Sequence, residues 1–156
     1  MDRLSWKLVL FGGLAFYAAQ WVIAMATGPL IHDGVLKSSY QETASFWRPE
    51  LMQDPPDMLA LLPLWIATGL VSAFALTAIY GLVRPAFAGG GWKKGLKYGL
   101  VLAVFGACWN LGYSGLFNLP DVIWAWWTVE IAIFYPLSAI VLGWVAQKVA
   151  PEPVAS

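Results

Sequence analysis

A single carboxylate stands in the middle of one of the most apolar stretches of this chain. The segment WAWWTVEIAIF, Trp124 to Phe134, surrounds Glu130 with aromatic and aliphatic side chains. A charged acid at the centre of a hydrocarbon layer costs about 2.5–3.5 kcal/mol. Glu130 must therefore carry a proton, because desolvation raises a carboxyl pKa, or face polar partners in the protein interior. An acid so placed can move a proton, hold a cation, or tie helices together.

Partners are sought by depth. Glu130 lies eight residues past Val122, roughly 12 Å inside a membrane boundary at ~1.5 Å per residue. Gln20 lies eight residues before Gly28-Pro29, where a first helix should end. Asn110 and Tyr113 fall at a comparable depth on a later segment, and Trp65 and Thr68 on another. The expectation is a buried polar cluster of Gln20, Trp65, Thr68, Asn110, Tyr113 and Glu130. Its blander role is to fix helix register, each bond contributing about 0.6–2 kcal/mol.

Other reactive residues say less. His32-Asp33 offers two metal ligands, and a third would have to come from Glu42, Glu50, Asp54 or Asp57. Two ligands do not make a site, and outer-loop His and Asp are usually solvated. One histidine excludes bis-histidine haem ligation within the chain, though it leaves room for an axial ligand to a pigment. The one cysteine, Cys108, excludes an internal disulfide and any CxxC motif. Its apolar setting reads as packing, because a reactive thiolate needs an electropositive surround. No Gly-rich phosphate loop and no basic, aromatic-interleaved surface is present, so nucleic acid is not an expected partner. No cofactor is indicated.

These residues must be positioned by something, and composition says what. The chain of 156 residues is 60% hydrophobic and 12% charged, against about 25% charged in soluble domains. A soluble fold of this length could not hide so much apolar surface, so lipid is the expected solvent. Backbone groups in lipid must bond internally, which makes the spans helices. The fold expected is all-α: one membrane domain over 1–156, an up-down bundle of four transmembrane helices at about 6–30, 58–83, 95–119 and 122–147. Ala24-Met25-Ala26 resembles a signal-peptidase site. The apolar run before it is long for a signal peptide, so a retained first helix is favoured.

Charge sets direction. Arg3, Lys7, Arg84, Lys93, Lys94, Lys97 and Lys148 gather on one side, leaving Lys37 and Arg48 on the other. The positive-inside rule puts both termini and the 84–94 loop in the cytoplasm. The 32–57 loop faces outward. Within it, Ser39 to Glu42 (SYQE) fits a capping box, and apolar residues among charges suggest a short amphipathic helix on the outer leaflet. The alternative is that it caps the bundle mouth above Glu130.

Two hairpins share features. WKLVLFGGL from Trp6 and WKKGLKYGL from Trp92 place Gly13-Leu14 and Gly99-Leu100 at one offset, and Pro56-Asp57 and Pro120-Asp121 precede the second and fourth helices. This suggests a parallel repeat. Small residues form stripes: Gly95, Gly99, Ala103, Gly106, Asn110 and Ser114 on the third helix, and Gly69, Ala73, Thr77 and Gly81 on the second. Such stripes let membrane helices approach closely. Pro136 should kink the fourth helix.

KGLKYGLVLAV, a tight turn and then WTVEIAIFYPLSAIVLGWV resemble small four-helix bacterial inner-membrane proteins. The resemblance covers the last two helices best. It implies an inner-membrane location and transfers no catalytic residue.

Three functions fit these residues. The first is an accessory or scaffolding subunit of a larger membrane complex, in contact with other membrane subunits or with itself. The second is a small transporter or ion- or proton-handling protein centred on Glu130. The third is an enzyme, the least supported, since no nucleophile–base pair or ligand set can be assembled.

Overall fold

The computed structural model describes residues 5–152. Among them the chain is all-helical, with no strand. Helix α1 runs over Leu8–Val35, opening with a wide π turn at Leu8–Gly12 and closing with another at Ile31–Val35. The short α2 covers Lys37–Glu42. Two 3₁₀ turns follow, at Ala44–Phe46 and Pro49–Met52. Then come α3 (Met58–Val83), α4 (Gly91–Ser114) and α5 (Asp121–Val149).

Three of these segments are long and apolar enough to cross a membrane: Leu8–Val35, Met58–Ala86 and Asp121–Val149. The expected third span, 95–119, is present as a helix but starts and stops earlier, at Gly91–Ser114. It is the least apolar of the four long helices, because Lys93, Lys94 and Lys97 occupy its first two turns.

α4 packs most closely on α5, and α1 packs on both α5 and α3. Tyr98 of α4 reaches α3, donating its hydroxyl to the Leu76 carbonyl at 2.7 Å. The α4–α5 contact is made backbone to backbone. A Cβ on Gly95 would run into the Ala139 carbonyl, one on Gly143 into the Gly91 carbonyl, and one on Gly99 into the Pro136 backbone. Small residues therefore line the α4–α5 seam, and Gly95, Gly99, Ala103 and Asn110 of the expected stripe are buried. Ser114, its last member, is exposed and bonds the Leu111 carbonyl of its own helix. On α3, Ala73, Thr77 and Gly81 are buried, and Gly69 abuts Tyr17. Gly13 packs on Phe74 as Gly99 packs on Pro136, so each of these glycines faces the second helix of its own hairpin.

Large side chains divide: Leu8, Phe16, Tyr80, Tyr98 and Leu142 form the buried core, while many others point outward. Val22, Met25, Leu59, Val71 and Phe105 are each more than 60% exposed, the distribution expected of helices whose neighbours are lipid tails.

Several local expectations change. α1 does not end at Gly28-Pro29. It continues through Pro29, its last wide turn closed by the Leu36 N–H on the Ile31 carbonyl at 2.8 Å. Ser39 does not open a capping box: the N-cap of α2 is Leu36, and no side chain caps it. Asp57 does cap α3, accepting the Ala60 N–H at 3.1 Å. Asp121 sits one position further in, after an N-cap at Pro120, and makes no such bond. α5 runs unbroken through the buried Pro136.

Candidate functional site

The segment between α1 and α3 folds inward. Ile31, Leu36 and Ile123 form a small core, with Tyr40, Trp47, Leu119, Trp126 and Trp127 packed against it. The aromatic side of α2 thus lies on the first turns of α5. Tyr40 and Trp47 meet edge to face, as do Trp47 and Trp127. Thr43 fixes Trp47 by accepting its indole N–H at 2.9 Å.

This arrangement builds a chain of hydrogen bonds around Glu130. Thr27 Oγ1 lies 3.1 Å from Glu130 Oε1. His32 Nε2 lies 3.2 Å from Glu130 Oε2. On its other side, His32 Nδ1 is 2.8 Å from the Tyr40 hydroxyl, which accepts the Trp127 indole N–H at 2.9 Å. Thr27 Oγ1 also reaches the Ile23 carbonyl at 3.1 Å.

Protonation decides how these contacts are satisfied. A threonine hydroxyl has one hydrogen to give. With Glu130 protonated, Oε1 donates to Thr27, Thr27 donates to Ile23, His32 Nε2–H donates to Oε2, and Tyr40 donates to Nδ1. Every donor then has one acceptor. With Glu130 ionised beside an imidazolium, both His32 nitrogens donate, Thr27 must choose between two acceptors, and the Tyr40 proton needs another partner. An ionised Glu130 facing a neutral His32 satisfies the pair as well, Nε2–H donating to Oε2 and Tyr40 donating to Nδ1. Burial pushes the Tyr40 phenol above its usual range; the Trp127 hydrogen bond opposes this, and the Glu130 charge adds to it. Tyr40 therefore stays a donor through neutral pH.

The chain of bonds forms part of the wall of a cavity of about 650 Å³. Glu130, Asp33 and His32 supply its ionisable groups, and Tyr40, Trp47, Trp65 and Trp127 its aromatic wall. Among the described residues, no lysine or arginine lines it. Its size falls within the usual range for small-molecule sites.

Of the six residues expected to cluster, Glu130, Trp65 and Asn110 share this cavity. Asn110 does not touch Glu130. Its amide N–H groups donate to the Trp124 carbonyl at 3.1 Å and to Thr128 Oγ1 at 3.0 Å, clamping α4 to α5. The other three lie elsewhere. Thr68 is exposed, its hydroxyl donated to Leu64 of its own helix. Tyr113 belongs to a ring column on α4, between Trp109 and Phe117, and borders a second cavity. Gln20 lies on α1 well short of Glu130, because α1 extends past Pro29.

Thr27, Tyr40 and Trp127 were not among the expected site residues. Thr27 had a signal: it stands seven residues after Gln20, within about 20° of the same helix face. Tyr40 had only the less favoured reading of its loop, as a cap above Glu130; the loop packs on the first turns of α5 and puts Tyr40 on His32. His32 and Asp33, weighed as metal ligands, both line the cavity, with both His32 nitrogens engaged. Among the described residues, no group of three His, Cys, Asp or Glu could hold a metal ion. Cys108 is exposed on α4.

No family model, curated protein or solved structure matches the chain. Fold and site define a class without a family: an all-α protein with three helices able to cross a membrane, and a polar network in the wall of an aromatic cavity.

Proposed function

We propose that this is a four-span membrane protein that binds a lipophilic cation beside Glu130, as the recognition step of a small transporter or ion-handling protein. α4 serves as the fourth span, and the lysine and arginine distribution favours an inner membrane with both termini in the cytoplasm. One observation carries the cation reading. Among the described residues, the cavity combines two carboxylates, Glu130 and Asp33, with four aromatic residues and no lysine or arginine. Aromatic faces and a carboxylate attract a desolvated cation. A ligand cation competes with His32 for Glu130, so binding is coupled to the proton held there.

Binding is tested with two ions of like shape and opposite charge, tetraphenylphosphonium and tetraphenylborate. The full chain in mild detergent is titrated by tryptophan fluorescence. The cation is expected to quench saturably and the anion not, and Glu130→Gln to weaken cation binding about tenfold. Equal binding of both ions, or an unaffected Glu130→Gln variant, would overturn the reading.

A second reading, the accessory subunit, has its own support. Phe105, Trp109 and Tyr113 on α4 and Phe117 just past its end form a continuous ring column, and Phe105 and Trp109 are at least 60% exposed. Such a column suits a seam for another helix. Copurification of a stoichiometric larger complex, lost in Trp109→Ala, would favour it.

A further inference from the structure

At the opposite end of the molecule, two cations converge on one carboxylate. Arg84 stands just past α3, Lys94 in the first turn of α4, and Glu152 just beyond α5. Lys94 Nζ donates to Glu152 Oε2, and Arg84 Nε lies 3.9 Å from Oε1. The cation side chains are well enclosed, only 11% and 15% exposed. Among the described residues the Arg84 guanidinium donates no hydrogen bond, although it carries five N–H groups.

These groups line a cavity of about 220 Å³ whose charged members among the described residues are Arg84, Lys94 and Glu152. One carboxylate against two cations leaves the pocket positive. The α4 N-terminus adds to this, since its first amides lack helical partners and carry the positive end of the dipole. Gly91 N–H is already taken by Gln147 Oε1 at 3.0 Å. The run Gly89-Gly90-Gly91 matches no phosphate-loop pattern, yet it brings bare backbone to this mouth, with Gly89 at φ 111°. Nearby, Trp92 and Trp144 are exposed, as tryptophans at a headgroup layer are.

We propose that Arg84 and Lys94 form a binding site for a phosphate group, in which Glu152 is a displaceable internal stand-in. A phosphate offers more acceptor oxygens than one carboxylate, which suits the fork of Arg84, the ammonium of Lys94 and the first amides of α4. The group comes from an anionic lipid headgroup or from free phosphate. Displacing Glu152 frees it from the ends of α3 and α4.

Native mass spectrometry of the full chain tests this, with phosphatidylglycerol, phosphatidylcholine and inorganic phosphate as probes. Phosphatidylglycerol is expected to be retained over phosphatidylcholine. Glu152→Gln should strengthen that retention about tenfold, because the open site becomes the dominant form, and Lys94→Gln should abolish it. A phosphate adduct strengthened by Glu152→Gln and removed by Lys94→Gln would identify free phosphate as the occupant. The gain in Glu152→Gln cannot come from misfolding. If Glu152→Gln changes neither probe, or Lys94→Gln binds as the parent does, the site does not exist.

Discussion

His32 on α1 and Glu130 on α5 meet at 3.2 Å, joining the first long helix to the last across the cavity mouth. Neither residue is fixed by its own helix alone. Thr27 holds the other carboxylate oxygen one turn deeper, and Tyr40 holds the far side of the imidazole. The position of the acid is thus set by three segments at once.

Thr27 and Gln20 separate a true partner from an apparent one. Thr27→Val removes a hydroxyl that contacts Glu130 while keeping shape, and should weaken tetraphenylphosphonium binding severalfold, consistent with loss of a bond of about 1 kcal/mol. Gln20→Leu should leave binding unchanged. Paired fluorescence titrations decide it; equal effects would place Glu130 elsewhere.

Tyr40 gives a pH signature. Its phenol is raised above the ordinary value of 10.0 in the folded chain, with burial as the main cause. The folded state therefore holds this proton more tightly than the unfolded state. Its stability contribution is complete below pH 10.0 and is lost as pH rises above that. Thermal unfolding in detergent from pH 8 to 11.5 should fall more steeply for the parent than for Tyr40→Phe. Parallel curves would contradict the assignment.

The α4–α5 seam should be intolerant of a single methyl. Gly95→Ala places a Cβ against the Ala139 carbonyl, a backbone group that cannot move aside, and should cost about 1–3 kcal/mol. Gly112, also on α4, has open space around it. There Gly→Ala should stabilise by about 0.5–1 kcal/mol through helix propensity. Thermal shifts of opposite sign are expected, and a harmless Gly95→Ala would refute the close contact.

Helix capping discriminates the two Pro-Asp pairs. Asp57→Ala loses the bond to Ala60 N–H and should destabilise by about 0.5–2 kcal/mol. Asp121 makes no capping bond, so Asp121→Ala should cost no more than the few tenths of a kcal/mol of a helix-dipole contact. Denaturation of the two variants in one detergent compares them directly.

The helices were legible because apolar runs of about 20 residues admit few alternatives in lipid. The buried polar level was legible in kind and misplaced in register. Reading Gly28-Pro29 as a terminator put Gln20 opposite Glu130. α1 instead runs on to Val35, and the residue eight positions before that end is Thr27. The depth argument survives a shift of two turns. A proline removes one donor and crowds the preceding turn, but α1 continues in helix past Pro29 to a closing wide turn. Thr68 misled differently: a threonine in lipid can satisfy itself on its own backbone. Tyr40 was reached only through the less favoured reading of its loop as a cap above Glu130, since α2 takes its place from contacts with α5 rather than from its own amphipathic pattern.

The glycine seam also bears on how the chain enters a bilayer. α4 carries three lysines in its opening turns and is less apolar than its neighbours, which makes it a poor candidate for insertion by itself. Its bare backbone face meets α5. In the proposed four-span arrangement, α4 enters lipid as the first half of a hairpin. Its commitment waits until α5 has been synthesised, and a chain truncated before α5 should leave α4 outside the hydrocarbon.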